Sequence, residues 1–543
     1  MQLISKRRYF LSIFLLIFPL AACQRVQSFN QRLAPLPQDP LVQVYFNHSE
    51  SSEYKEPYRQ QTRLGDDLEK QIVDAITQAK STVDVAVQEL RLPKVAQALV
   101  DRQKAGVKVR IILENTYSRP WSSLTSTEVG KLDKREQERY NEFRKFIDIN
   151  QDNQLSPTEI NQRDALIILQ NAKIPWIDDR ADGSAGSSLM HHKFVIVDNR
   201  IVIITSANFT LSDTYGDFTN SSSLGNANNL LQIDSPELAS LFTEEFNILW
   251  GDGPGGKPDS QFGLKKPMRL PKQITLGDTK ITVQFSPTSP IQPWSNSSNG
   301  LIGKTLDSAT KSVDMALFVL SDQRIANILE KRYQQSVQIR TLIEPQFAYR
   351  LYSEALDMMG VALSNKCKYE LDNHPWPNPI TTVGVPVLPK GDLLHHKFGV
   401  IDNQTVITGS HNWSDAANNG NDETLLVIEN SLVAAHYVRE FSRLYSNIKP
   451  GLPPAIQEKI KLEQTRCPQI KSSSSSELQA IKQININTAS LEELATLPGV
   501  GKKLAQRIII SRQQQKFTSL QDLERVSGVS ARTVEKWSDR LTW

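Results

Sequence analysis

The sequence predicts an α/β protein of two pseudo-twofold-related lobes, each a mixed sheet flanked by helices, followed by a small all-α module. Three observations carry this. The chain repeats itself, since the pattern of residues 72–113 returns at residues 302–343. Each half then carries a His-His-Lys followed by an apolar run and an aspartate, His191-His192-Lys193-Phe194-Val195-Ile196-Val197-Asp198 and His395-His396-Lys397-Phe398-Gly399-Val400-Ile401-Asp402. Finally, the composition breaks at a serine-rich stretch, 471–476, after which two short helical segments flank Leu497-Pro498-Gly499-Val500-Gly501.

Each element has a local reason. Residues 41–46, rich in valine and aromatic side chains, predict the first strand of lobe one, with 281–285 as its counterpart in lobe two. Residues 72–76 and 302–306 predict a helix and 83–87 and 313–317 the strand after it. A second helix is predicted over 95–99 and 325–329, and a second strand over 107–114 and 337–344. Strands alternating with helices imply a sheet covered on both faces. Residues 194–197 are apolar, aromatic and β-branched, as a buried strand requires. Side chains two apart share one face of a strand. His191 and Lys193 therefore present an imidazole beside an ammonium, and His395 and Lys397 do the same. His192 and His396 fall on the opposite face, where a structural role is expected. Two lobes facing each other across a pseudo-twofold axis would bring both pairs into one site. The expected boundaries are lobe one at 41–255 with an insertion at 115–167, lobe two at 275–448, a linker at 449–480 and the last module at 481–543.

Each aspartate is followed by a second short motif, Ser206-Ala207-Asn208 in one half and Ser410-His411-Asn412 in the other. The pattern H-x-K-x-x-x-x-D followed by S-x-N, present twice, resembles the phospholipase D superfamily. That resemblance implies phosphodiester cleavage through a covalent phosphohistidine, with no metal cofactor for catalysis. His191 would be the nucleophile, and His395 the acid and later the base for water. Lys193, Lys397, Asn208 and Asn412 would hold the non-bridging oxygens, Ser206 and Ser410 would assist, and Asp198 and Asp402 would orient. The family also has a downstream glutamate that orients a histidine. Lobe two keeps it as Glu423, whereas lobe one has Asn228 at that place. Lobe one also has Thr205 where lobe two has Gly409.

The N-terminus begins with Lys6-Arg7-Arg8, continues with a short apolar run, and reaches Leu20-Ala21-Ala22-Cys23. This reads as a secretory signal over 1–22, and the cysteine resembles that of a bacterial lipoprotein, lipidated at Cys23 and tethered by 23–40. An ordinary signal peptide or an uncleaved anchor is the alternative. The run is too short for a comfortable membrane span. Removing 1–22 removes three positive charges and brings the net charge from +3 to 0. Charge alone therefore does not argue for a nucleic-acid partner. The remaining cysteines, Cys367 and Cys467, are an even pair that forms either one disulfide or two free thiols.

Within the insertion, Asp148, Asn150, Asp152, Gln154, Ser156 and Glu159 stand at the ligand positions of an EF-hand loop, so a structural Ca2+ is expected. The charged stretch 131–146 predicts the entering helix and 159–169 the exiting one. Asn153 replaces the glycine of the sharp turn, and a polar loop without metal is the alternative. In the last module Ser490, with Glu493 three residues on, predicts a capping box at the start of a helix over 491–496. The module resembles the helix-hairpin-helix domain of bacterial competence DNA receptors. Gly499, Gly501 and the weaker second hairpin's Gly528 expose backbone N–H groups, and Lys502 and Lys503 add charge. From 484 to 543 nine Lys/Arg oppose six Asp/Glu, a balance of +3 that suits a phosphate backbone. Three functions follow from these features: a DNA nuclease anchored at the cell envelope, a phospholipase D acting on phospholipid head groups, or a catalytically silent DNA-binding lipoprotein.

Overall fold

A computed structural model of the chain describes residues 32–184, 188–370, 372–467, 484–497, 500–518, 521–526, 529, 537 and 541–542. The leader with Cys23 lies outside these residues, as do Gly499 and Gly528.

The first sheet has seven strands in the order Val42–Phe46, Asn229–Asp234, Ile201–Thr205, Lys193–Val197, Thr82–Val87, Lys108–Leu113 and Trp176–Asp178. The last three run parallel, as their helical connections require, and the other neighbours are antiparallel. The second sheet repeats this plan with Thr279–Ser286, Glu423–Glu429, Thr405–Gly409, Lys397–Ile401, Ser312–Leu317, Gln338–Ile343 and Val383–Pro386. The register repeats as well. Asp84 lies opposite Arg110 in the first sheet and accepts two hydrogen bonds of 2.7 Å from its guanidinium; Asp314 and Arg340 do the same in the second at 2.7 and 2.6 Å.

On the outer face of each sheet pack the helices expected from the repeat, Leu68–Thr77 and Pro93–Lys104 in lobe one, Ser298–Asp307 and Gln323–Gln334 in lobe two. On the inner faces lie Pro236–Trp250 and Ser431–Tyr445, and one core joins them across the lobes. Phe194, Phe242 and Phe246 of the first half belong to the same buried cluster as Phe398, Tyr437 and Phe441 of the second.

Lobe two extends further than expected. Lys272–Leu276 adds an outer strand by a hairpin, and Ile448–Pro450 pairs with Val383–Pro386 at the opposite edge. Residues 453–454 do not open a linker. A proline suits the first turn of a helix, where its missing N–H is not needed, and Pro454–Arg466 is helical. That helix ends at Cys467, which is disulfide-bonded to Cys367 at a Cα–Cα distance of 5.5 Å. The catalytic body therefore runs to residue 467, and the paired-thiol alternative is the one realised. Nor is 32–40 a free tether. The Gln38 side chain donates to the Val44 carbonyl at 2.7 Å and accepts its N–H at 2.9 Å.

The insertion is helical as expected, with one correction. A single exiting helix was expected after the acidic loop; instead Pro157–Arg163 and Ala165–Asn171 are separate. Asp164 is extended between them, and its carboxylate caps the second helix and binds Ser122. Asn153 adopts φ 64°, the left-handed turn that asparagine tolerates. In the C-terminal module, Ser490 and Glu493 form the expected capping box ahead of Leu491–Leu494. The module is not purely α: Ile484–Asn485 and Leu541–Thr542 form a short parallel ladder that joins its ends.

The disulfide closes a sequence separation of 100 residues. In the chain-entropy view a loop of that size stabilises by about 4.7 kcal/mol. Cys467→Ser should therefore lower the melting temperature by several degrees. Superimposable melting curves for the two proteins would show that the bridge carries no stability.

Candidate active site

The two motif strands meet through backbone bonds between the lobes. His191 N–H donates to the Asp422 carbonyl at 2.9 Å, and Asp422 N–H to the Leu189 carbonyl at 2.8 Å. The second half mirrors this: His395 N–H donates to Ala227 at 3.1 Å and Ala227 N–H to Leu393 at 2.8 Å. Each motif is thus laced to the strand entry of the opposite lobe. Both histidines, together with Lys193 and Lys397, converge in one buried centre.

The rings are oriented by the same crossing. His191 Nδ1–H donates to Glu423 Oε2 of the other lobe at 2.7 Å. His395 Nδ1–H donates to Asn228 Oδ1 of the other lobe at 2.9 Å. Both Nε2 atoms are thereby left to the site. Ser206 and Ser410 stand one step behind. The Ser206 hydroxyl donates to Asn228 Oδ1 at 2.8 Å and the Ser410 hydroxyl to Glu423 Oε2 at 2.7 Å. Each also accepts a backbone N–H, from Asn229 and Thr424. They set the histidines' partners rather than reaching a substrate.

Each lysine folds back over its own motif. Lys193 Nζ donates to the His191 carbonyl at 2.9 Å and Lys397 Nζ to the His395 carbonyl at 2.7 Å. The lobes differ beside them. Gln88 stands 3.4 Å from Lys193 Nζ, whereas the Phe318 ring lies under Lys397 at 4.8 Å and edge-on to His395 at 5.0 Å. Asn208 Oδ1 and Asn412 Oδ1 are both buried and have no hydrogen-bond partner among the described residues. At those oxygens the two amides are held by nothing in the fold, unlike the two serines.

Burial opposes every positive charge here. It pushes His191 down to about 4; Glu423 resists, while Lys193 and Lys397 add to the fall. It also takes Lys193 down to about 8. Lys397 lies well below its ordinary range through burial and the neighbouring Lys193, and His395 through burial, Lys397 and Lys193. Burial pushes Glu423 up, but His191, His411 and Lys193 outweigh it and hold it at about 2. The centre gathers four buried basic groups with little negative charge of its own. An anionic phosphodiester supplies the missing charge, and buried donors act on it more strongly than they would in water.

One expectation is corrected here. Asp198 and Asp402 are not at the site. They lie roughly 16 Å beyond the lysines at about 3.3 Å per strand residue, in left-handed turns with φ 51° and 52°. The Asp198 carboxylate accepts N–H groups of Lys80, Ser81 and Thr82, and that of Asp402 accepts those of Thr310, Lys311 and Ser312. They orient a hairpin turn, not a histidine. The acidic loop is held by its own hydrogen bonds. Glu159 spends Oε1 on the N–H groups of Ile149 and Asn150 and Oε2 on the N–H and hydroxyl of Ser156. Asp148 and Asp152 likewise accept N–H groups of their own loop, Asp152 taking that of Gln154 and Asn150 that of Asp152. Among the described residues no three His, Cys, Asp or Glu side chains are grouped to hold one ion. As it stands, the loop is braced by its own backbone.

Thr205 and Gly409 differ for a reason. Gly409 has φ 135°, and a Cβ there would sit 2.2 Å from the Thr424 carbonyl oxygen. Thr205 instead uses its hydroxyl, donating to the Asn229 carbonyl at 2.6 Å. His192 and His396 are structural as expected, bonded to Glu245 at 2.9 Å and Glu440 at 3.0 Å. The residue missed in the sequence is Asp213, which accepts Asn208 N–H at 2.9 Å and lies 3.6 Å from His395 Nδ1. In the last module, Lys502 and Lys503 are exposed in the first turn of Lys502–Gln514, and Gly501 precedes them as an N-cap without a side chain to fill the free N–H groups.

Paired His/Lys/Asn sets from two lobes define a phosphodiester-cleaving centre. The family model described as the cardiolipin synthase PLD-like domain matches residues 72–250 and again 302–445. The chain belongs to that phospholipase D-like family and is a phosphodiesterase. A helix-hairpin-helix motif model matches residues 479–542. Mitochondrial cardiolipin hydrolase of Mus musculus is 24% identical over 188 residues, 33% of this chain and 75% of that protein. A phospholipase D of Rickettsia typhi is 26% identical over 147 residues, 27% of this chain and 62% of that protein. Among solved structures, phosphatidylserine synthase of Haemophilus influenzae aligns at a TM-score of 0.44 and 12% identity over 81% of this chain and 96% of that one. Nuc, a phospholipase D family member from Salmonella typhimurium, aligns at a TM-score of 0.26 and 20% identity over 32% of this chain and 100% of that one.

Lys193 must be charged to hold a phosphate oxygen, and it loses its proton as pH rises through about 8. The profile of kcat/KM, which reports the free enzyme, should therefore fall on its alkaline side near that pH. A plateau reaching past pH 10 would show that the lysine keeps an ordinary affinity for its proton.

Proposed function

We propose that this protein is a metal-independent DNA nuclease of the cell envelope that works through a phosphohistidine. The observation that carries the DNA reading is the helix-hairpin-helix module on the same chain as the phosphodiesterase centre. His191 Nε2 attacks phosphorus, and the P–N bond forms as the bond to the leaving oxygen breaks. Glu423 on Nδ1 offsets the positive charge that the phosphorylated ring acquires. His395 gives its Nε2 proton to the leaving oxygen. It then takes a proton from water, whose oxygen attacks phosphorus and releases His191. Lys193, Lys397, Asn208 and Asn412 hold the non-bridging oxygens throughout. Lipidation at Cys23 would keep the enzyme on the outer side of the membrane, and the Cys367–Cys467 disulfide supports an oxidising compartment.

A second reading, hydrolysis of phospholipid head groups, is favoured by the names of the relatives, cardiolipin hydrolase and phospholipase D. Purified protein in EDTA separates the two. Nicking of plasmid DNA with phosphatidylcholine or cardiolipin vesicles left intact supports the nuclease; the reverse outcome overturns it. Denaturing mass spectrometry of His395→Ala, avoiding acid, should find a phosphoryl adduct on the peptide holding His191, since water then lacks its base. An adduct on the His395 peptide in His191→Ala instead would reverse the roles.

The module's share is testable separately. Deleting residues 480–543 should leave turnover of bis-p-nitrophenyl phosphate intact and weaken binding to duplex DNA. The part of the affinity that is lost should be steeply salt-dependent, because phosphate contacts release counterions. Equal duplex affinity in the truncated protein would remove the module from the DNA reading.

A further inference from the structure

The two halves place their carboxylates differently. In lobe two, Glu423 bonds His191 directly, and the residue seven positions after Ser410 is Ala417. In lobe one the glutamate's place is taken by neutral Asn228, and the residue seven positions after Ser206 is Asp213. The two positions are exchanged in charge, and in space they meet. Asn228 Oδ1 accepts from His395 while its Nδ2 donates to Asp213 Oδ1 at 3.3 Å and to the Asp213 carbonyl at 3.1 Å. The same Asp213 Oδ1 is 3.6 Å from His395 Nδ1. Asp213 is 4% exposed, so water screens this pair little.

We propose that Asp213 is a positioning residue that supplies the counter-charge of the His395 imidazolium, in place of the glutamate that lobe one lacks. The strongest influences on His395 are its burial and Lys397, Lys193, His191 and His396, and all of these disfavour its protonation. The nearby Glu344 carboxylate accepts the Leu394 N–H at 2.8 Å. An acid without a carboxylate partner would stay neutral there and have no proton to give. Asp213 answers this twice, by its charge near Nδ1 and by holding the Asn228 amide so that Oδ1 faces the ring. Its remaining bonds, to Asn208 N–H at 2.9 Å and from Asn226 Nδ2 at 2.6 Å, fix the carboxylate in place.

This rests on the reading of His395 as the acid, and the test separates the two. Asp213→Asn is nearly isosteric and keeps an acceptor for Asn208 N–H. In the full-length protein it should lower turnover of a dinucleoside monophosphate, whose sugar hydroxyl is a poor leaving group, by about tenfold to a hundredfold. Turnover of bis-p-nitrophenyl phosphate, whose phenolate leaves with little help, should change less. The double variant Asp213→Ala with Asn228→Glu copies the Ala417/Glu423 arrangement and should recover most of the loss. Asn228→Glu alone sets two carboxylates together and should not reach the activity of that double variant. Recovery in the double variant supports Asp213 as the counter-charge of His395 whichever histidine carries the adduct, so a reversal of roles would overturn only the acid assignment. Equal losses on both substrates with no recovery, or no loss in Asp213→Asn, would overturn the proposal.

Discussion

The structure depends on a crossed pair of hydrogen bonds. Each catalytic ring is held at Nδ1 by a side chain of the opposite lobe, His191 by Glu423 and His395 by Asn228. Neither lobe can orient its own histidine. The backbone ladders at residues 189–191 with 422 and at 393–395 with 227 enforce the crossing, and the shared core of Phe194, Phe242, Phe398 and Tyr437 makes lobe separation costly. A fold of two similar halves thus yields one centre rather than two.

Electrostatics then explains why such a centre suits a phosphodiester. Two buried lysines and two buried histidines face one carboxylate in direct contact, Glu423, with Asp213 behind Asn228. Buried charge without a partner is expensive, and the charge of a bound phosphodiester would offset part of that cost.

Symmetry is broken where the two steps of the reaction differ. Gln88 flanks Lys193 on one side, while Phe318 flanks both Lys397 and His395 on the other. Glu423 contacts one histidine directly, and a relay serves the second. Positions that bear only on packing, such as the Asp84–Arg110 and Asp314–Arg340 pairs, stay equivalent.

Much of this was legible in the sequence. The repeat set the two lobes, the period of two put each histidine beside its lysine, and apolar residues 194–197 marked a buried strand, because strand faces and burial are local properties. Ser490 with Glu493 announced a capping box for the same reason. Asp198 and Asp402 were misplaced because a motif records spacing along the chain, and a strand carries its end far from its start. The extent of lobe two, the break at Asp164 and the Cys367–Cys467 bond waited on distant partners. So did the role of Asp213, which differs from an ordinary helix-turn aspartate only through a histidine 182 positions away. From the sequence alone came the placement of a histidine beside a lysine on one strand face in each half. Only the tertiary structure decided which carboxylate serves which histidine, because that pairing crosses between lobes and leaves no trace in local spacing.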